Sequence, residues 1–85
     1  MSCYFEIETL PETLGRVIEL LEQNQVITQI YRVTGKNKLH VHAVASSNEE
    51  LERLINQVID SLPGIVSCDC SMILSRIKDI KGLRL

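Results

Sequence analysis

Hydrophobic and polar residues alternate along three stretches of the chain, a fourth stretch is rich in β-branched residues, and two stretches between them carry apolar residues at helical spacing. Alternation with a period of two is typical of a half-buried strand, and apolar residues at i, i+3, i+4 and i+7 are typical of an amphipathic helix. The pattern predicts strands over residues 3–9, 26–34, 39–45 and 65–76. A helix is predicted between the first and second strands and another between the third and fourth.

The helix boundaries follow from capping residues and proline. Residues 9–12 (TLPE) have the pattern of a capping box, in which a Thr oxygen accepts from backbone amides and a Glu three residues later reaches back. This first helix should end near Asn24. Residues 47–50 (SNEE) repeat the pattern, and Pro63-Gly64 should end the second helix.

The connections between these elements predict the fold. Residues 35–38 (GKNK) separate the second and third strands, and a Gly that can adopt positive φ suits such a hairpin turn. The apolar positions of the two helices match at one offset of 37 residues, and each helix leads into a strand. Two βαβ halves predict an α+β, ferredoxin-like βαββαβ plait, with a four-stranded antiparallel sheet and both helices on one face.

Composition fits one small folded domain. The chain has 85 residues, 45% hydrophobic and 24% charged, so residues 1–85 are expected to form a single unit with its core over 3–77 and a short tail over 78–85. A formal charge of -2 argues against direct nucleic-acid binding. No apolar run reaches the roughly 20 residues of a membrane span. Three cysteines and no recognisable secretory signal favour the cytoplasm.

The sheet face away from the helices needs a partner. It is expected to carry Tyr4, His40, His42, Val44 and Ile73, together with Val33 or Arg32. This mixture is too apolar to face water alone, and a second copy of the chain would cover it and add stability by mass action. The sequence therefore predicts a homodimer formed through this face.

Two histidines on one strand raise the question of a metal site. His40 and His42 share a strand face, but a metal ion needs three or four ligands, and no third lies nearby in the sequence. Packing in the dimer interface is the favoured interpretation, and neither a metal nor a cofactor is expected. A neutral histidine pair between subunits also predicts a dimer that weakens near about pH 6.

Other reactive side chains have structural interpretations. Cys68 and Cys70 lack the two-residue gap of a redox or zinc loop, and they should point into the core, as should Cys3. Glu6 and Glu8 are expected to form a solvated or interfacial edge, because no activated nucleophile or Gly-rich loop accompanies them. No catalytic residue is therefore predicted.

Several short motifs are more specific than the periodicity. Residues 31–35 (YRVTG) close the second strand, 49–51 (EEL) lie in the second helix, 63–66 (PGIV) open the last strand and 71–75 (SMILS) lie within it. In this order and at these separations, over about residues 3–77, they resemble the C-terminal domain of the Lrp/AsnC transcriptional regulators. Family members usually carry an N-terminal helix-turn-helix, so a stand-alone version or an excised domain is expected.

The resemblance implies a regulatory domain without catalysis. It implies binding of an amino acid or similar effector, dimerisation by sheet stacking, and assembly of dimers into rings such as octamers or decamers. The implied effector-binding residues are Thr34, Gly35, Lys36, Asn37, Lys38, Ser67, Asp69 and Ser71. The family commonly has acidic residues in the turn after Val-Thr-Gly, whereas Lys36 and Lys38 would repel a cation and attract an anion.

Three other functions stay open from the sequence. An ACT-like amino-acid-binding domain shares the order of elements, but it usually places its ligand near a Gly at the first strand-to-helix junction, which residues 9–12 lack. A small dimeric α+β barrel enzyme, such as an isomerase or monooxygenase, would use His40 or His42 in a pocket on the sheet face. A purely structural oligomerisation module would bind no ligand.

Overall fold

The computed structural model describes residues 1–78, apart from the side chain of Ile59. Of the predicted tail, all but Lys78 lies outside the described residues. The elements are β1 (Ser2–Thr9), a 3-10 turn (Pro11–Thr13), α1 (Leu14–Glu22), β2 (Ile27–Arg32), β3 (Lys38–Val44), α2 (Asn48–Ser61) and β4 (Ile65–Met72). The strands form one antiparallel sheet in the order β2-β3-β1-β4, which confirms the predicted ferredoxin-like plait.

One hydrophobic core lies between the two helices and the sheet. Alternate residues of the central strands β1 and β3 point into it, and Phe5, Leu39 and Val41 are fully buried there. Burying a side chain of this size contributes roughly 1.5–3 kcal/mol. The helices cover these strands with Val17, Leu21, Leu51, Leu54 and Val58. Because the alternation is strict, the intervening residues of β1 and β3 must lie on the opposite face.

Helix α2 begins as predicted. The backbone N–H of Glu50 donates to the Ser47 hydroxyl oxygen over 3.2 Å, as in a capping box. The Glu50 carboxylate accepts from the N–H of Ser46 over 3.1 Å rather than from that of Ser47. The predicted cap is therefore present with its return bond shifted by one residue.

The start of α1 differs from the prediction. Thr9 is still part of β1 and is only 2% exposed, and its hydroxyl donates to the carbonyl of Leu10. A side chain turned into the core cannot cap a helix, so the predicted capping box at residues 9–12 is wrong. Pro11 opens a 3-10 turn instead, and α1 begins at Leu14.

Strand β4 is shorter and less buried than predicted. It ends at Met72 rather than at residue 76, because β1, its neighbour in the sheet, begins at Ser2 and offers no backbone beyond that point. The register also shifts where β1 ends. Val66 is 55% exposed and Leu74 is 91% exposed, so neither belongs to the core.

The three cysteines differ in burial. Cys3 is buried and Cys68 half-buried, whereas Cys70 is exposed on the edge strand, so the prediction of core packing is wrong for Cys70. Burial raises the pKa of the Cys3 and Cys68 thiols. A raised pKa keeps a thiol protonated at neutral pH and makes it a poor nucleophile.

Gly15 is the second residue of α1. A glycine inside a helix is expected where the helix backbone approaches the sheet closely, but Gly15 is exposed, and an added Cβ would meet no atom within 4 Å outside the helix's own backbone. Gly15→Ala is therefore expected to raise the free energy of unfolding by about 0.5–1 kcal/mol, because Ala has less backbone entropy to lose. Urea unfolding measures this, and a lowered midpoint would contradict it.

Candidate functional site

We call the sheet surface away from the helices the open face. Strand alternation and register place on it Tyr4, Glu6, Glu8, Gln29, Tyr31, Lys38, His40, His42, Val44, Ser67, Asp69 and Ser71. Polar side chains gather at two places on the open face. Some line a depression at the end of the face where β3 begins, and the others surround a pair of histidines at the centre.

The depression has a volume of about 220 Å³. Its lining residues are Glu6, Ile7, Glu8, Lys38, Ser67 and Asp69. The register explains how they meet, because β1 lies between β3 and β4 and Glu8 is paired with Lys38 on one side and Ser67 on the other. Three carboxylates and one ammonium group thus surround one small space, which suits a ligand that carries both signs of charge.

The structure brings together part of the predicted effector site. Lys38, Ser67 and Asp69 line the depression. The predicted residues that do not line it are Thr34, Gly35, Lys36, Asn37 and Ser71. Four of these five form the β2–β3 turn, and Ser71 lies further along β4, opposite Tyr4.

Three residues of the depression, Glu6, Ile7 and Glu8, were not predicted as part of the site, and two of them are charged. The alternation of Glu6 and Glu8 with Tyr4 shows in the sequence that these two share one face of the first strand. Their opposition to Lys38 and Asp69 depends on the strand register. The sequence therefore showed that Glu6 and Glu8 share a face, but it did not show that they lie opposite Lys38 and Asp69.

The β2–β3 turn has the backbone conformation that its sequence predicts. Gly35 has φ 119° and Asn37 has φ 52°, both in the region that favours Gly and tolerates Asn. The carbonyl of Asn37 accepts from the N–H of Thr9 over 3.0 Å. This bond ties the turn to the end of β1, next to the depression.

The histidine cluster consists of Glu6, His40, His42 and the ring of Tyr4. Oε1 of Glu6 lies 2.5 Å from Nδ1 of His40, and Nε2 of His40 lies 2.7 Å from Nε2 of His42. The Tyr4 ring is centred 5.0 Å from the His40 ring and 6.1 Å from the His42 ring. The His40 side chain is 25% exposed, so the cluster is partly shielded from water even in a single chain.

The surroundings of His42 lower its pKa. Burial lowers its pKa below the ordinary 6.5, the nearby His40 lowers it further, and the Glu6 carboxylate opposes these effects. A lowered pKa keeps this imidazole neutral at pH 7.

The predicted dimer residues all lie on or beside the open face. Tyr4, His40 and His42 are half-buried, while Val44 is 51% and Ile73 is 46% exposed. Ile73 follows directly on β4, and its N–H donates to the carbonyl of Ser2.

The contribution of β2 to this face includes a residue that the sequence did not place there. Tyr31 is paired with His40 and its ring is centred 6.3 Å away. Arg32 is paired with Leu39, a core residue, and so lies on the side of the helices. Of the predicted pair, it is Val33 that continues the open face.

Two classes of site are not formed by residues 1–78. No three His, Cys, Asp or Glu side chains in this range are arranged to hold a metal ion. No helix in the same range is long and apolar enough to cross a membrane.

Two helices packed on one side of a β2-β3-β1-β4 sheet define a domain of the ferredoxin-like class. The family model of the Lrp/AsnC ligand binding domain matches residues 2–83, nearly the whole chain. The chain therefore belongs to the Lrp/AsnC ligand binding domain family, which confirms the resemblance seen in its motifs. No curated protein matches the chain.

Solved structures share the fold at low sequence identity. AsnC from E. coli has a TM-score of 0.80 and 18% identity, over 93% of this chain and 54% of AsnC. TTHA0845 from Thermus thermophilus has a TM-score of 0.80 and 19% identity, over 92% of this chain and 98% of that protein. The transcriptional regulator NMB0573 from Neisseria meningitidis, in complex with L-Met, has a TM-score of 0.77 and 12% identity, over 98% of this chain and 55% of that regulator. The chain thus spans about half the length of the AsnC protein.

Proposed function

We propose that this chain is the effector-binding and oligomerisation module of a transcription regulator, that it performs no catalysis, and that its effector is an α-amino acid or a close relative. Membership of a ligand binding domain family supports the general function. The class of ligand is inferred from the depression, where Lys38 lies among three carboxylates. A free amino acid carries an ammonium and a carboxylate group on one carbon, which matches this arrangement of charges.

The carboxylates of the depression also offset the basic character of the β2–β3 turn. Lys36 and Lys38 make the β2–β3 turn basic, which argues against binding an ammonium group. Glu6, Glu8 and Asp69 supply the missing negative charge from the neighbouring strands. Lys36 does not line the depression, so one lysine remains to hold a carboxylate. The L-Met bound by the Neisseria regulator belongs to the same chemical class.

A second copy of the chain is proposed to cover the open face from its centre to the end that carries Val44 and Ile73, which is the end away from the depression. Val44 and Ile73 are about half exposed beside the half-buried rings of Tyr4, His40 and His42. Removing apolar area from water contributes roughly 25 cal/mol per Å², and two sheets commonly pack face to face. Dimers would then assemble into rings such as octamers or decamers, as the family resemblance implies.

Glu6 offers a physical link between the effector and the assembly. Its carboxylate lines the depression and also contacts Nδ1 of His40 in the middle of the open face. An effector ammonium group that binds Glu6 competes with His40 for the same oxygens. Such differential contacts are what an effector needs to shift the populations of two assemblies.

The test is the solution mass by light scattering and the melting temperature, alone and with each of the natural amino acids. We expect a dimer or larger ring, and a rise in melting temperature with one amino acid. Lys38→Ala should abolish this rise. The matched control is Lys36→Ala, which removes the same charge from the same turn outside the depression and should keep the response.

The two parts of the proposal fail separately. A monomer at all concentrations would overturn the dimer. An assembly whose melting temperature responds to no amino acid, or equal loss of the response in both lysine variants, would overturn the effector site.

The dimer is expected to weaken as the pH falls below 6.5, the ordinary pKa of histidine. Burial within a single chain already lowers the pKa of His42, and the further burial proposed for the dimer would lower it more. Protonation of His42 therefore opposes the dimer, with no penalty above pH 6.5 and a growing one below it. The groups facing His42 are Tyr4, Glu6, Tyr31 and His40. His42→Gln removes the titratable imidazole, so it should flatten the pH dependence of the dimer. Sedimentation between about pH 8 and 5.5 with a chelator present measures it, and an unchanged mass would contradict it.

A further inference from the structure

The two histidines of the open face turn the same ring nitrogen toward each other. Nε2 of His40 and Nε2 of His42 are 2.7 Å apart, and the ring planes are inclined by 66°. Both residues lie on β3 with one residue between them, so a single rigid strand holds the two rings. Convergence of two imidazole nitrogens is the arrangement that a chelating pair requires.

Glu6 prepares His40 to act as a ligand. The carboxylate at 2.5 Å accepts the proton on Nδ1, so neutral His40 has its lone pair on Nε2, where it accepts the Nε2–H of neutral His42. When His42 changes to the Nδ1–H tautomer, this hydrogen bond is given up, both Nε2 lone pairs can bind a metal ion, and no proton has to leave the site. A histidine whose second ring nitrogen donates to a carboxylate is the usual form of a metal-bound histidine, because the carboxylate fixes the ring and increases its basicity.

The distances are close to those of a coordinated ion. Zinc binds imidazole nitrogen at about 2.0–2.1 Å, so two nitrogens on one tetrahedral ion lie roughly 3.3 Å apart. The observed 2.7 Å must open by about 0.6 Å, a small rotation of the two side chains. Imidazole suits zinc, copper and nickel rather than magnesium or calcium.

Residues 1–78 of a single chain do not complete a metal site, since no three suitable side chains converge within that range. A second copy can complete it. β3 and β1 are the two central strands of the sheet, and His40 and His42 lie midway along β3. In a two-fold interface the same patch of both subunits meets, so side chains at the centre of the face come near their own counterparts.

We propose that His40 and His42 chelate a divalent transition-metal ion of the zinc, copper and nickel class, with Glu6 as the positioning residue, and that the same pair of a second copy supplies the remaining ligands. The ion then sits between two stacked open faces and joins the subunits. The bridging part rests on the dimer of the proposed function.

The test uses the full chain, first treated with a chelator and then titrated with zinc chloride in the absence of amino acids. Calorimetry should give one zinc per two chains, and sedimentation should show the dimer dissociation constant falling at least tenfold. Cobalt(II) in place of zinc should give the intense visible absorption of a tetrahedral site. His40→Ala and His42→Ala should each abolish saturable binding.

Glu6→Gln tests the positioning role. It should weaken zinc binding by about 10–100-fold while keeping one zinc per dimer. The matched control is Glu8→Gln, which removes a carboxylate from the same face of β1 and should leave zinc affinity unchanged. Equal effects of the two variants would overturn the role of Glu6.

The remaining outcomes separate the two proposals. A dimer that takes up no zinc overturns the metal site and leaves the dimer intact. One zinc per chain, or unaltered binding in the histidine variants, overturns the shared site. A chain that stays monomeric with and without zinc overturns both the bridge and the proposed dimer.

Discussion

Val44→Asp is expected to weaken the dimer by at least about 100-fold, which corresponds to roughly 3 kcal/mol. Val44 lies on the central strand β3 and is half exposed on the open face. In a two-fold interface one substitution introduces two carboxylates, and each would lose water without gaining a partner. Sedimentation equilibrium measures the effect, and circular dichroism should show that the chain stays folded.

Val66→Asp is the matched control for this experiment. Val66 is 55% exposed, close to the 51% of Val44, but it lies on the edge strand β4 where the register shifts. The same change of charge there should leave the dimer constant nearly unaltered. If both variants weakened the dimer alike, net charge rather than burial at the open face would be the cause. If Val44→Asp left the dimer dissociation constant unchanged, the stacked-sheet interface would be refuted.

Gly64→Ala is expected to lower the free energy of unfolding by about 2–5 kcal/mol. Gly64 has φ 67°, and a left-handed backbone costs an L-residue about 1–2 kcal/mol. An added Cβ would also lie 2.3 Å from Oγ1 and 2.7 Å from Cγ2 of Thr13, an overlap that costs about 1–3 kcal/mol more. For a small domain this is a large part of the total stability. Urea unfolding followed by circular dichroism is the measurement.

A second substitution separates the two causes. Thr13→Gly in the Gly64→Ala background removes the side chain that the new methyl group meets, but it leaves the left-handed backbone. A double-mutant cycle should therefore show a favourable coupling of about 1–3 kcal/mol and an incomplete rescue. Gly15→Ala is the control, because the same substitution in open space should act in the opposite direction. Wild-type stability of Gly64→Ala would show that the contact is absent in solution.

Close approach and backbone strain thus distinguish Gly64 from Gly15. A glycine inside a helix, as Gly15 is, usually indicates close approach of the helix to the sheet. The structure places the close contact at Gly64 instead, against Thr13. Contact between the end of α2 and the start of α1 involves residues distant in the chain, and periodicity carries no information about it.

The effector site was likewise predicted only in part from the sequence. The resemblance to the family led to Lys38, Ser67 and Asp69, and these three residues do lie around one depression. It gave no indication of Glu6 and Glu8, because their part in the site depends on the strands that flank β1. Thr34, Gly35, Lys36, Asn37 and Ser71 do not line this depression, so their part in effector binding rests on the resemblance alone, and a retained response in Lys36→Ala would exclude Lys36.

Local order was determined by the sequence. The two-residue and 3.6-residue periods predicted four strands, two helices and the buried faces of β1 and β3, because these periods depend on neighbours within one turn or one pleat. Capping by Ser47 and the positive φ of Gly35 are equally local. The ordered motifs also sufficed to indicate the family.

Tertiary structure alone decided which faces and charges meet. The pairing of β1 with β3 and β4 brings Glu8 to Lys38 and Glu6 to Asp69. The same pairing sets the end of β4 and leaves Cys70 and Val66 exposed at the edge of the sheet. Register is fixed by burying one whole face of the sheet at once, so it depends on packing across the domain rather than on any short stretch of the chain.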